Sequence, residues 1–132
     1  MAKVDLKGYK VSKIEFVNKL DNNTQIKLGN KYSYNVSYSN QNLCKGEFEV
    51  VVTDNEKSDV FSITAVVEGI FTYEQGTPKE EIHVSTFKEI FPYVRSLVTT
   101  ITANAGIKPI IIPAINIEEQ SIYRFENNAP KQ

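Results

Sequence analysis

One histidine, His83, and one cysteine, Cys44, are the residues of this 132-residue chain best equipped for nucleophilic or metal chemistry. A metal site takes three or four ligands, so these two could hold an ion only with several carboxylates beside them. A Cys–His couple would need the pair to meet in space, and the surroundings of neither suggest activation. His83 lies in "EEIHVS", which predicts a solvated or helix-capping role. Glu118 and Glu119 form a carboxylate pair, but neighbours on a helix diverge by about 100° and do not converge on one substrate. Lys79, Glu80 and Glu81 read as a solvated first turn, where acids favour the helix dipole. The glycines at 8, 29, 46, 69, 76 and 106 make neither a phosphate-binding loop nor a dinucleotide fingerprint. The expectation is a protein that binds rather than catalyses, with no cofactor and no metal.

Composition narrows what it binds. Fifteen basic and sixteen acidic residues are mixed along the chain for a formal charge of −1, and no basic stripe invites nucleic acid. The opening "MAKVDLKGYK" has no apolar core of a secretion signal. A single cysteine excludes an intramolecular disulfide framework and fits a reducing cytoplasm. The length predicts one domain over 1–132, with a core at about 8–125 and a frayed tail at 126–132.

The elements that position these residues fall into two halves. "KYSYNVSYS" sends Tyr32, Tyr34, Val36 and Tyr38 to one face of a strand, and "GEFEVVVTD" does the same with Phe48, Val50 and Val52. In "DVFSITAVVEGIFTYEQG", Phe61, Ile63, Ala65, Val67, Phe71 and Tyr73 share a face, while Val60, Val66 and Ile70 make the other face apolar too. Tyr9 and Val11 are out of phase with Ile14 and Phe16, so a bulge or bend between them is expected. The links are too short for crossover helices, which predicts four antiparallel strands. From Pro78 the period changes. Ile90, Phe91, Val94, Leu97, Val98 and Ile101 form a helical stripe, Gly106 suits the C′ position, and Pro109 prevents continuation. A short helix should follow from Asn116, with Glu119 completing a capping box. The fold class is α+β.

Between the two helices lies "KPIIIPAINI", too short to span a bilayer, which takes about 20 apolar residues. Burying an isoleucine is worth about 2 kcal/mol, so Ile110, Ile111, Ile112, Ile115 and Ile117 need cover. Either they are core, or some border a subunit interface or an apolar groove. The doubly apolar strand at 60–73 and the helix stripe exceed what one small sheet can cover, which predicts an obligate oligomer.

Three short motifs carry a resemblance. Phe91, Pro92, Tyr93 and Arg95 resemble the Leu-Phe-Pro-Tyr-Ala-Arg run that opens the long helix of the export chaperone SecB. Pro113 and Asn116 fit its later proline–asparagine segment, and Gly69, Ile70 and Phe71 its "GGIF". The order of elements agrees over about residues 8–125. The resemblance implies a SecB-like four-stranded antiparallel sheet, a long helix and a short C-terminal helix. It also implies a homotetramer, a dimer of dimers, that holds unfolded polypeptides in apolar grooves without ATP and passes them to the translocation motor SecA. In the family the groove is walled by the junction of last strand, long helix and apolar segment. Here that implies a client surface of Phe71, Tyr73, Phe87, Phe91, Tyr93, Ile110 and Ile112, with Phe91 and Ile112 the first candidates for core instead. Ser62 and Thr64 stand where the family offers SecA a leucine and a glutamate, and the tail is short, so motor binding is expected to be weak or absent. Relatives that serve toxin–antitoxin systems make an antitoxin the alternative partner. The competing reading from another class is an oligomeric adaptor for one folded partner.

Overall fold

The computed structural model describes residues 4–113, apart from 22–26, 40, 56 and 58. Four strands, β1 (Val4–Asn18), β2 (Leu28–Tyr38), β3 (Leu43–Asp54) and β4 (Phe61–Tyr73), precede one long helix, α1 (Lys79–Ala103). All pairings are antiparallel, in the order β1-β4-β3-β2. The expected short C-terminal helix, with Asn116, Glu118 and Glu119, lies outside the described residues.

Alternation sets the layers. On β2, Tyr32, Tyr34, Val36 and Tyr38 stand opposite Val50, Phe48, Gly46 and Cys44 of β3. Phe61, Ile63, Ala65, Val67 and Phe71 continue the same face on β4, and all five are buried. Helix α1 lies over this face with Ile82, Phe87, Ile90, Phe91, Val94 and Val98 turned inward. The opposite face carries Lys45, Glu47, Glu49, Ser62, Thr64 and Glu68, none of them buried.

The phase change in β1 is resolved by a register shift between Val11 and Lys13, where Ser12 is the extra residue. Tyr9, Val11, Ile14 and Phe16 thereby share the helix-side face, opposite Gly69, Val67, Ala65 and Ile63. A second shift between Leu6 and Gly8 brings Leu6 into line with Phe71.

Gly46 is required by a close approach. A methyl group there would collide with the Tyr34 hydroxyl, which crosses above it. That hydroxyl donates to Thr86 Oγ1 (2.5 Å), and Thr86 donates to the Ile82 carbonyl (2.8 Å). A buried polar chain thus ties β2 to the first turns of α1. The helix closes at Ala103 with Asn104 as C-cap, so Gly106 (φ 83°) takes its left-handed turn one residue later than expected.

Candidate functional site

The two residues with the most reactive side chains are both structural in their settings. Cys44 is buried, and desolvation pushes its thiol up to about 11, the reverse of what a nucleophile needs. His83 is also buried, contrary to the solvated role expected of it. It lies four residues before Phe87 and seven before Ile90, hence on the inward stripe, and meets Tyr34 edge-on at 5.2 Å. Desolvation lowers its pKa. Burial likewise raises the Tyr34 phenol well above its ordinary value. Among the described residues, no three His, Cys, Asp or Glu side chains cluster as metal ligands would.

The seven apolar candidates divide by depth. Phe71, Phe87, Phe91 and Ile112 are buried. Phe87 and Phe91 stack at 5.1 Å, and Phe48 meets both edge-on at 5.3 and 5.9 Å, so these rings are one aromatic core. Tyr73, Ile110 and Tyr93 reach the surface, each among different neighbours. Tyr73 is half-buried, edge-on to Tyr38 at 6.1 Å, and the Lys79 ammonium lies 4.9 Å from the Tyr38 ring centre. Tyr93 is exposed and stacks on Tyr9 at 4.4 Å. Ile110 is half-buried on the segment that follows α1.

That segment is a strap running back along the helix. The Thr99 hydroxyl donates to the Ile110 carbonyl (2.8 Å), and the Ile110 N–H donates to Thr102 Oγ1 (2.8 Å). Arg95 Nε donates to the Ile112 carbonyl (2.8 Å), with its guanidinium 5.8 Å from the Phe91 ring centre. Ile112 therefore plugs the core, while Ile111 faces solvent at 69% exposure.

A second feature went unread in the sequence. Beside the β1 edge, Tyr9, Val11 and Ile14 of the strand and Tyr93 of α1, which stacks on Tyr9, stay exposed at 49, 38, 48 and 41%. The alternation of β1 marked Tyr9, Val11 and Ile14 as apolar-facing, but only the fold decides that they stay exposed.

The family profile described as preprotein translocase subunit SecB matches residues 13–129. The chain belongs to the SecB family. An uncharacterized protein of Methanocaldococcus jannaschii is 31% identical over 119 residues, covering 83% of this chain and 77% of that one. Among solved structures, the Mycobacterium tuberculosis SecB-like chaperone in complex with a peptide from an antitoxin superposes with a TM-score of 0.70 at 10% identity. The match covers 86% of this chain and 91% of that one. At such low identity the likeness is one of fold: a four-stranded antiparallel sheet backed by a long helix. Within the SecB fold of this chain, Phe91-Pro92-Tyr93 lies in the middle of α1 rather than at its start, because the helix begins at Lys79. Pro92 sits there on the exposed side. Ser62 and Thr64 lie on the sheet face away from the helix.

Proposed function

We propose that this SecB-family protein is a chaperone that holds non-native polypeptides in extended form by apolar contact, without ATP. The observation that carries the reading is the apolar surface one protomer leaves uncovered: Tyr9, Val11, Ile14 and Tyr93 along β1, Ile70 on the other sheet face, and Ile111 on the strap. Exposed apolar patches of this kind mark interaction surfaces. The β1 face, at the edge of the sheet, serves self-assembly into a homo-oligomer, a dimer of dimers. Tyr73 and the groove that holds Ile110 and Ile112 meet the client, and the buried Phe71, Phe87 and Phe91 shape its walls from beneath. Aromatic and aliphatic walls suit clients that share no sequence, because the contact needs area rather than a fixed pattern of polar groups.

The test is aggregation. Stoichiometric protein should suppress aggregation of several unrelated unfolded proteins with no nucleotide present. Suppression of none, with tight binding of a single folded partner, would establish the adaptor reading instead. Between export and toxin control, two observations favour an antitoxin client. Ser62 and Thr64 offer SecA neither the leucine nor the carboxylate that docking would use. The fold matches a SecB-like chaperone solved with an antitoxin peptide. A tight, salt-sensitive complex with SecA would overturn this preference.

A further inference from the structure

We infer that the strap from Ile107 to Pro113 is an internal stand-in for a client: it occupies a cleft on α1 built to read extended backbone, and a client enters by displacing it. The inference rests on the chaperone reading above and names how its binding cleft is regulated.

The helix side chains that hold the strap hydrogen-bond to its backbone. Thr99 and Thr102 take both the carbonyl and the N–H of Ile110, and Arg95 takes the carbonyl of Ile112. In an extended chain, residues two apart turn their backbone groups to the same side, so this is the pattern a strand edge offers. The spacing agrees. Thr99 and Arg95 are four helix residues apart, a rise of about 6 Å, and Ile110 and Ile112 are two extended residues apart, about 6.8 Å. The Thr102 hydroxyl accepts from Ile110 while it donates to the Val98 carbonyl (3.0 Å), so a fixed helix carbonyl orients the acceptor. Side-chain selection falls on two apolar positions, a half-buried one filled here by Ile110 and a buried one filled by Ile112, with the residue between pointing to solvent. Any extended chain with apolar residues two apart satisfies those demands. A tethered strap competes at an effective concentration near millimolar, so a short or weakly apolar peptide loses to it, whereas a long unfolded chain with many such pairs does not. The device would thus keep the cleft closed to folded proteins and brief apolar stretches.

Hydrogen exchange of wild-type protein, with and without a reduced and alkylated unfolded polypeptide, tests the inference. Displacement removes the Thr102 partner from the Ile110 amide, so its exchange should accelerate by about tenfold on client binding. Amides of Phe48 and Val50 in β3 should not change. Ile112→Ala, which weakens the strap and leaves the helix clamp whole, should tighten client binding by at least about fivefold, because the competent population rises. If the client binds while Ile110 stays as protected or becomes more so, the strap is a wall and the inference is overturned. Unchanged or weakened binding by a folded Ile112→Ala protein has the same consequence. Failure of wild-type protein to bind any unfolded chain would defeat both this inference and the chaperone reading.

Discussion

Phe87 and Tyr73 both belong to the client surface implied by sequence, yet substitution should separate them. Phe87 is fully buried and packs against Tyr34 at 5.5 Å, Phe48 at 5.3 Å and Phe91 at 5.1 Å. Truncating such a ring to alanine removes its transfer energy and leaves a cavity, about 3–5 kcal/mol in total. For a 132-residue chain the unfolding entropy is about 0.28 kcal/mol/K, so each kcal/mol lowers Tm by about 3.6 °C. Phe87→Ala should therefore melt about 11–18 °C lower. Tyr73 is only half-buried and meets Tyr38 edge-on. Tyr73→Ala should cost about 1 kcal/mol, or about 4 °C. Scanning calorimetry at one fixed protomer concentration measures both, since oligomer stability depends on concentration. The paired assay is suppression of client aggregation well below either melting point. Tyr73→Ala should hold clients less well while folded. Phe87→Ala should hold them nearly normally until it unfolds. The reasoning fails if Phe87→Ala melts within 3 °C of wild type (roughly the size of an exposed-site change), or if Tyr73→Ala is destabilised as severely as a core truncation.

Burial lowers the pKa of His83 in the folded protein, whereas the unfolded chain takes up a proton near pH 6.5. The unfolded state then binds more protons below that pH, so stability should fall on acidification from about pH 6.5 towards the lowered folded pKa, by at most about 1.4 kcal/mol per pH unit. Urea midpoints at pH 7.5 and 5.5 should differ less for His83→Leu than for wild type; an equal difference would exclude His83 as the cause. Gly46→Ala should lower Tm through its collision with the Tyr34 hydroxyl, and Tyr34→Phe in the same chain should recover part of that loss, although ring carbons remain near. Purely additive effects would refute the contact. The Cys44 thiol, with its pKa near 11, should be alkylated by iodoacetamide at pH 8 far more slowly in native protein than in urea, and equal rates would contradict its burial. Replacing Ile14 by Ser should shift sedimentation towards the 14.9 kDa protomer without a loss of fold seen by circular dichroism; an unchanged oligomer would move the interface away from β1.

Period-2 patterns made the sheet legible in the sequence. The tyrosines of β2 and the phase break between Val11 and Ile14 stand in the structure where alternation requires them. The second shift at Leu6/Gly8 left no such mark, since only two apolar residues precede it. His83 was misjudged because its polar character outweighed its spacing from Phe87 and Ile90, and a helix buries by position rather than by residue type. Ile70 read as one of the strand's second-face apolar residues, and it stands exposed in the protomer. The strap's clamp was illegible for a different reason. Thr99, Thr102 and Arg95 look like an ordinary polar flank until the chain folds back and gives them carbonyls and an N–H to hold. Depth divided the client surface in the same way, because aromatic composition does not distinguish a wall from the core behind it.

The central claim, that apolar contact holds non-native chains, is tested most directly by titration calorimetry with one reduced and alkylated polypeptide at several temperatures and two salt concentrations. The account predicts binding with a clearly negative heat-capacity change, the marker of buried apolar surface, and an affinity that changes little with salt. Absence of binding, or binding with a heat-capacity change near zero that weakens steeply as salt rises, would contradict it.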